Sequence, residues 1–191
     1  HRDLHSFPTR RSSDLPHAYA ASIFDIDYKE LKKQGIRALF FDLDNTIIAY
    51  DETELDEKHL ALIQTLKNDF HVVVLSNTNY QRVSLALKHA DVLFVWHATK
   101  PLKRGFKKAI KKINVEAHEI AMIGDQLMTD ILGGNRLGMN TILVRSVKRK
   151  SDRWMTKINR KLEVGMLKKI EKNQPQVYLE RLKPYVDDHE M

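Results

Sequence analysis

The chain predicts an α/β fold, a three-layer sandwich with a central parallel sheet. Three observations point there. Strand-like and helix-like runs alternate regularly from residue 37 to residue 147, the strand-like runs are apolar throughout, and most of them end close to residues able to do chemistry. Regular βα repetition builds a parallel sheet through right-handed crossovers, which place helices on both faces. Strands covered on both faces have no polar side, and this accounts for unbroken apolar runs in place of alternating ones.

The first strand is expected at 37–42, where Ala38-Leu39-Phe40-Phe41 runs into Asp42. A helix at 55–67 leads to a strand at 70–76 around Val72-Val73-Val74-Leu75. Helix 80–89 then leads to strand 91–96 around Val92-Leu93-Phe94-Val95. Helix 102–113 turns Leu102, Phe106, Ile110 and Ile113 inward and Lys103, Arg104, Lys107, Lys108, Lys111 and Lys112 outward. Strand 119–124 holds Ile120-Ala121-Met122-Ile123, and a helix at 128–137 and a strand at 140–147 complete the repetition. Gly133-Gly134-Asn135-Arg136-Leu137-Gly138 reads as a helix end and turn, because a dinucleotide-binding glycine loop has to follow a strand.

With 191 residues and 42% hydrophobic content, the chain can bury one sizeable core. The expected organisation is an α/β domain at 15–148 and a helical extension and tail at 149–191, with little pattern beyond Pro175. Residues 1–14 lack a starting methionine and any apolar period, and are read as a disordered, non-native leader. The absence of cysteine excludes disulfides, thiolate metal sites and cysteine nucleophiles. That absence also suits a cytoplasmic location, with a peripheral place on the inner membrane face as the alternative, and no apolar stretch reaches the roughly 20 residues that span a bilayer.

Open α/β sheets bind ligands beyond the carboxyl ends of their strands. Here those ends carry Asp42-Leu43-Asp44-Asn45-Thr46, Ser76-Asn77-Thr78, Lys100-Pro101 and Gly124-Asp125. An acid pair, a hydroxyl, a cation and a further acid therefore converge. A lone Asp-x-Asp is weak, since 25 of 191 residues are acidic. Three acids at specified positions arise by chance roughly once in five hundred, before the ordered hydroxyl and lysine are added.

From about Ser22 to Val147 this ordered set resembles the four motifs of the haloacid dehalogenase-like (HAD) phosphohydrolases. Ser22-Ile23-Phe24-Asp25 and Thr156-Lys157-Ile158-Asn159-Arg160 resemble the YqeG-type branch of HAD class IIIA, which is similar to the mitochondrial phosphatidylglycerophosphate phosphatases. The resemblance implies that Asp42 is a nucleophile forming an aspartyl-phosphate and that Asp44 is the general acid and base. Lys100 would neutralise the nucleophile and the phosphoryl group. Ser76 and the Asn77 amide would bind phosphoryl oxygens, and Thr46 would orient the first loop. It further implies Mg²⁺ held by Asp42, Asp125 and the Asp44 carbonyl, with Asp130 in support directly or through water. An acid in the first turn of a helix is an equally good reading of Asp130.

Only eight residues separate Thr46 from Leu55, and Ser76 to Lys100 is filled by one helix and one strand, so the fold is expected to be capless. An open site suits a phosphomonoester on a large or surface-bound body, such as phosphatidylglycerophosphate. From Arg145 to Lys172 eleven Lys or Arg face three acids, and Trp154, Met155, Ile158, Leu162, Met166 and Ile170 form one stripe, with Leu167 and Lys169 as blemishes. That is a basic amphipathic helix at 153–170. It can pack on the sheet with a solvated outer face, or contact an anionic membrane. Rival functions are a phosphoprotein or small-metabolite phosphatase and a nucleic-acid or ribosome-associated protein. The second lacks any stacking motif or RNA-binding signature. The nine histidines show no paired zinc spacing, and His97 is only a candidate for substrate contact.

Overall fold

The protein is described here by a computed structural model covering residues 15–148 and 154–188. Its strands are β1 (Ala18–Ala20), β2 (Ala38–Phe41), β3 (His71–Leu75), β4 (Leu93–Val95), β5 (Ile120–Gly124) and β6 (Asn140–Val144). All pair in parallel, in the order β1-β6-β5-β2-β3-β4. The helices are α1 (Tyr28–Lys33), α2 (Glu57–Leu66), α3 (Tyr80–Ala86), α4 (Lys103–Ile113), α5 (Leu132–Asn135), α6 (Trp154–Asn173), α7 (Pro175–Val177) and α8 (Lys183–Asp187). The five expected strands are present. β1 and α1 are additional, in a stretch too short and mixed to carry a periodic signal.

Side-chain alternation explains the apolar strands. Leu39, Phe41, Val72, Val74, Ala121 and Ile123 enter one cluster beneath α2 and α3, while Phe40, Val73, Leu75, Ile120 and Met122 enter a second beneath α4. Both clusters exclude water, so each strand needs apolar residues at odd and even positions. Among residues 42–125, all described, no domain is inserted between the motifs.

Three expectations change. Leu102 is 60% exposed, because α4 starts at Lys103 and leaves Leu102 outside as its extended N-cap; Gly105 and Ala109 are buried in its place. The expected helix 128–137 is a wide turn over Leu127–Ile131 followed by α5. Gly133 and Gly134 lie inside α5, where an added Cβ would meet the Phe106 ring at 2.6 Å and Thr141 Cγ2 at 2.7 Å; only Gly138, at φ +78°, makes a turn. Close helix packing, and not chain reversal, requires the first two.

The third change concerns the C-terminus. Beyond Pro175 the chain is helical and packed: Leu182 and Tyr185 are fully buried with Leu127, Ile131 and Leu143 in a third cluster. Leu167, a blemish on the expected stripe, is buried with Ile170, whereas Met166 is only partly so. The side chains of Trp154, Met155, Ile158 and Leu162 lie outside those described, as does residue 153.

Candidate active site

β2 is central, and its carboxyl end delivers the first motif. The ladder continues one step past the strand, with the Asp42 amide donating to the Ile123 carbonyl at 2.9 Å, so Asp42 is held in register beside the start of the β5 loop. Asn45 then takes a left-handed φ of 65°, which asparagine tolerates, and its side chain accepts from the Tyr50 amide at 3.2 Å. Asp42, still in the ladder, has its side chain 7% exposed, and Asp44, just before the turn, 19%.

Asp42, Asp125 and Asp130 each offer a carboxylate oxygen, and these three lie within 4.8 Å of one another. All are buried. Lys100 Nζ sits 2.7 Å from Asp42 Oδ1 and 2.7 Å from Asp130 Oδ1. The Asp130 contact is an ion pair without an aligned hydrogen bond, so that buried oxygen has no directional partner. One ammonium among three carboxylates leaves two negative charges uncompensated in a dry setting, if all are ionised. Burial raises the Asp42 carboxyl well above the usual carboxylate range; the Lys100 ammonium opposes this, and Asp130 and Asp125 add to it. Burial also raises Asp130, with Asp125 adding and Lys100 opposing. For Lys100, burial alone would lower the ammonium, but the carboxylates of Asp130 and Asp42 outweigh it and hold it above its ordinary value. Oxygen-only donors with surplus negative charge fit a hard divalent cation such as Mg²⁺.

The supporting contacts explain how these groups are held. Asp125 accepts from Ser146 Oγ at 2.8 Å and Thr46 Oγ1 at 3.3 Å. Asp130 Oδ2 accepts from the Gln126 amide at 3.2 Å across the wide turn. Gly124 makes room for it, since an added Cβ would lie 2.3 Å from Asp130 Oδ2. Gly124→Ala is therefore expected to push Asp130 aside and cost about 1–3 kcal/mol in a denaturant titration, with Mg²⁺ affinity falling in parallel. Ser76, buried, directly follows β3, the strand paired with β2, and its Oγ accepts from the Thr78 amide at 3.2 Å.

The Asn77 side chain has a different task from the one expected of its amide. Its Oδ1 accepts from the Lys100 amide at 2.7 Å and its Nδ2 donates to the Lys100 carbonyl at 3.2 Å, clamping the lysine backbone. His97 and Thr99 hold left-handed φ angles of 44° and 57° in the loop leading to Lys100. For a β-branched residue this is strained, and the strain sits where the cation is presented. His97 itself is exposed against Trp96 and does not join the acid cluster.

Sequence reasoning missed four residues. Arg82, one turn into α3, places Nη2 3.0 Å and Nε 3.1 Å from Asp44 Oδ1, and also donates to the carbonyls of Ala49 and Glu52. It ties the loop after the first motif to Asp44. Ser146 follows β6 at the same sheet end, so the strand-end rule could have found it. Glu163, fully buried on α6, accepts from the Leu127 amide at 2.6 Å. Tyr185 bridges the Asp125 carbonyl at 3.4 Å and Glu163 Oε2 at 3.5 Å. No local signal marks Arg82, Glu163 or Tyr185.

Residues 6–148 match the family model described as mitochondrial PGP phosphatase. The match begins inside the segment 1–14 expected to be a leader, which lies outside the described residues. The Bacillus subtilis protein named Probable phosphatase YqeG is 33% identical over 159 residues, covering 83% of this chain and 92% of that one. A chloroplastic and mitochondrial phosphatidylglycerophosphate phosphatase 1 of Arabidopsis thaliana is 27% identical over 81% of this chain, which spans only 47% of that relative's length. A solved HAD family enzyme of Bacteroides thetaiotaomicron shares the fold at a TM-score of 0.50 and 14% identity, over 65% of this chain and 98% of that one.

Proposed function

Because the chain belongs to the mitochondrial PGP phosphatase family and is a HAD-type phosphatase, we propose that it hydrolyses a phosphomonoester through an aspartyl-phosphate on Asp42, with Mg²⁺ as cofactor and phosphatidylglycerophosphate as substrate. The observation that carries this is the buried set of Asp42, Asp125 and Asp130 around the Lys100 ammonium. Asp42, Asp125 and one oxygen of Asp130 would hold the ion, with the Asp44 carbonyl as a further ligand. When bound, the ion supplies the positive charge that lets a phosphate dianion approach three carboxylates.

Asp42 attacks phosphorus in line, and the leaving alkoxide oxygen takes a proton from Asp44. Asp44 then accepts a proton from the water that attacks the phosphorus of the aspartyl-phosphate, releasing phosphate and restoring Asp42. Lys100 and the Ser76 hydroxyl offset charge on the phosphoryl oxygens, with the Asn77 amide beside them. Thr46 orients Asp125. The open rim accepts a headgroup whose body remains outside. Phosphate release from a panel including phosphatidylglycerophosphate, soluble sugar phosphates and a phosphopeptide tests the reading. Preferred release from the lipid, abolished by EDTA and restored by Mg²⁺, is expected; preference for a soluble substrate overturns the lipid part.

Two outcomes follow from the geometry. Arg82→Ala is expected to slow hydrolysis of alkyl phosphates about 10- to 100-fold and p-nitrophenyl phosphate less, because the aryl leaving group needs no proton and only the base step of Asp44 remains to be slowed. Unchanged rates on both would remove Arg82 from the positioning of Asp44. Mg²⁺ at about a hundredfold over its Kd is expected to stabilise the fold by about 2.7 kcal/mol. The carboxyl groups of Asp42 and Asp130 are raised in the folded state, so the metal-free protein is favoured at low pH and loses stability as pH rises through those values. The Mg²⁺-induced rise in melting temperature should therefore be larger at neutral pH than under acid conditions.

A further inference from the structure

The loops that carry Ser76 and Lys100 run on into a surface that the chemistry above does not use. Lys100 is buried, yet two residues later Leu102 is 60% exposed. On the chain leading into Lys100, Trp96 is 40% exposed, and Tyr80 at 54% lies against it with ring centroids 6.1 Å apart. Lys108 of α4 lies 5.7 Å from the Trp96 ring centroid. The chain between these groups belongs to the site: the His97 amide donates to the Thr78 carbonyl at 2.9 Å and the Ala98 amide to the Ser76 carbonyl at 3.0 Å. Exposed aromatic and aliphatic side chains thus rim the loops that carry Ser76 and Lys100.

The charge on this rim is one-sided. From Ala98 to Asn114 there is no acid, and all six Lys and Arg of α4 are exposed. None of the six makes an ion pair among the described residues, whereas Lys32, Lys67, Lys148 and Lys183 elsewhere each pair with an aspartate. An unpaired cationic face joined to exposed Trp, Tyr and Leu combines the two attractions of an anionic bilayer, headgroup charge and an apolar boundary.

We propose that Tyr80, Trp96, Leu102 and the outward face of α4 form the docking surface for an anionic lipid bilayer, setting the open site against the membrane plane. This deepens the lipid-phosphate reading and rests on it. A phosphate held at Lys100 would then belong to a headgroup whose acyl chains stay in the bilayer beneath Leu102. RNA would meet the same cations, but an exposed leucine has no role there.

Flotation of the full chain with vesicles of phosphatidylcholine alone, and of phosphatidylcholine with phosphatidylglycerol, tests the proposal. The wild type is expected to float only with the anionic vesicles, less so at high salt. K103E/K107E/K111E should weaken partitioning about 100-fold or more, at roughly fivefold for each charge lost, and Leu102→Asn about tenfold. Both variants should keep their melting temperatures and their rate on p-nitrophenyl phosphate. Undiminished flotation of the triple variant overturns the proposal and moves any membrane contact to the basic stretch expected at 153–170. Tighter binding to single-stranded RNA than to anionic vesicles also overturns it. Failure to hydrolyse vesicle-embedded phosphatidylglycerophosphate, with flotation still dependent on α4, would instead overturn the substrate assignment and leave the docking surface standing.

Discussion

Asp42→Asn is expected to stop turnover, lowering phosphate release by about 10⁴-fold or more, because the amide cannot attack phosphorus and no other group takes over the covalent step. The fold should survive. Asp42 is buried beside two other carboxylates and its acid is raised, so the neutral amide removes a destabilising charge from the metal-free protein. Its melting temperature without metal should equal or exceed that of the wild type at neutral pH. Acid-quenched wild type should carry a hydroxylamine-labile phosphate that the variant lacks. Near wild-type turnover in Asp42→Asn would remove Asp42 from the nucleophile role.

Lys100→Met is expected to lose turnover and stability together. The methionine fills similar space but strips Asp42 and Asp130 of their shared counterion. Breaking a buried pair from one side costs about 3–5 kcal/mol, which for a domain of this size lowers the melting temperature by roughly 10 °C. The pH dependence separates this from simple loss of packing. With the ammonium gone, both carboxyl groups rise further. A group raised on folding stabilises below its unfolded value and ceases to do so as pH rises through the folded one. The variant should therefore recover stability in acid and approach the wild type there, as read by thermal melts across pH. Mg²⁺ should restore part of the loss at neutral pH. A deficit independent of pH and metal would show that Lys100 acts through packing alone.

The asymmetry between these two substitutions comes from charge balance. Three acids and one base share a site with no solvent to screen them, so removing an acid relieves the cluster and removing the base aggravates it. Asp44 stands outside this balance. Its carboxylate turns to Arg82, away from the buried acids, and is partly exposed.

Much of the site was legible because it depends on position along strands. Apolar runs such as Ala38–Phe41 and Ile120–Ile123 have to be buried on both faces, and the one or two residues after each are placed at the carboxyl edge by the chain itself. Asp42, Ser76 and Asp125 follow from that rule without knowledge of strand order. Lys100 was legible from its place shortly after the third run, Val92–Val95. The role of the Asn77 side chain was not, since clamping Lys100 depends on a contact between residues 23 apart. Leu102 was read inward by periodicity alone, and the point at which α4 begins reversed it.

The C-terminal region shows the boundary most clearly. Its residues beyond Pro175 have no marked period, yet Tyr185 is fully buried and reaches the Asp125 carbonyl from a position 60 residues away. Glu163, one acid in a basic stretch, closes the Leu127 amide that the wide turn leaves open.

The sequence by itself determined the sheet class, the strand ends and the acids, hydroxyl and lysine at them, because apolar runs and adjacency along the chain are local properties. Only the tertiary structure decided that Arg82 holds Asp44, that Glu163 and Tyr185 brace the Asp125 loop, and that Leu102 and Trp96 face outward beside unpaired lysines. Those outcomes depend on which distant segments pack together, and one-dimensional spacing contains no distance between them.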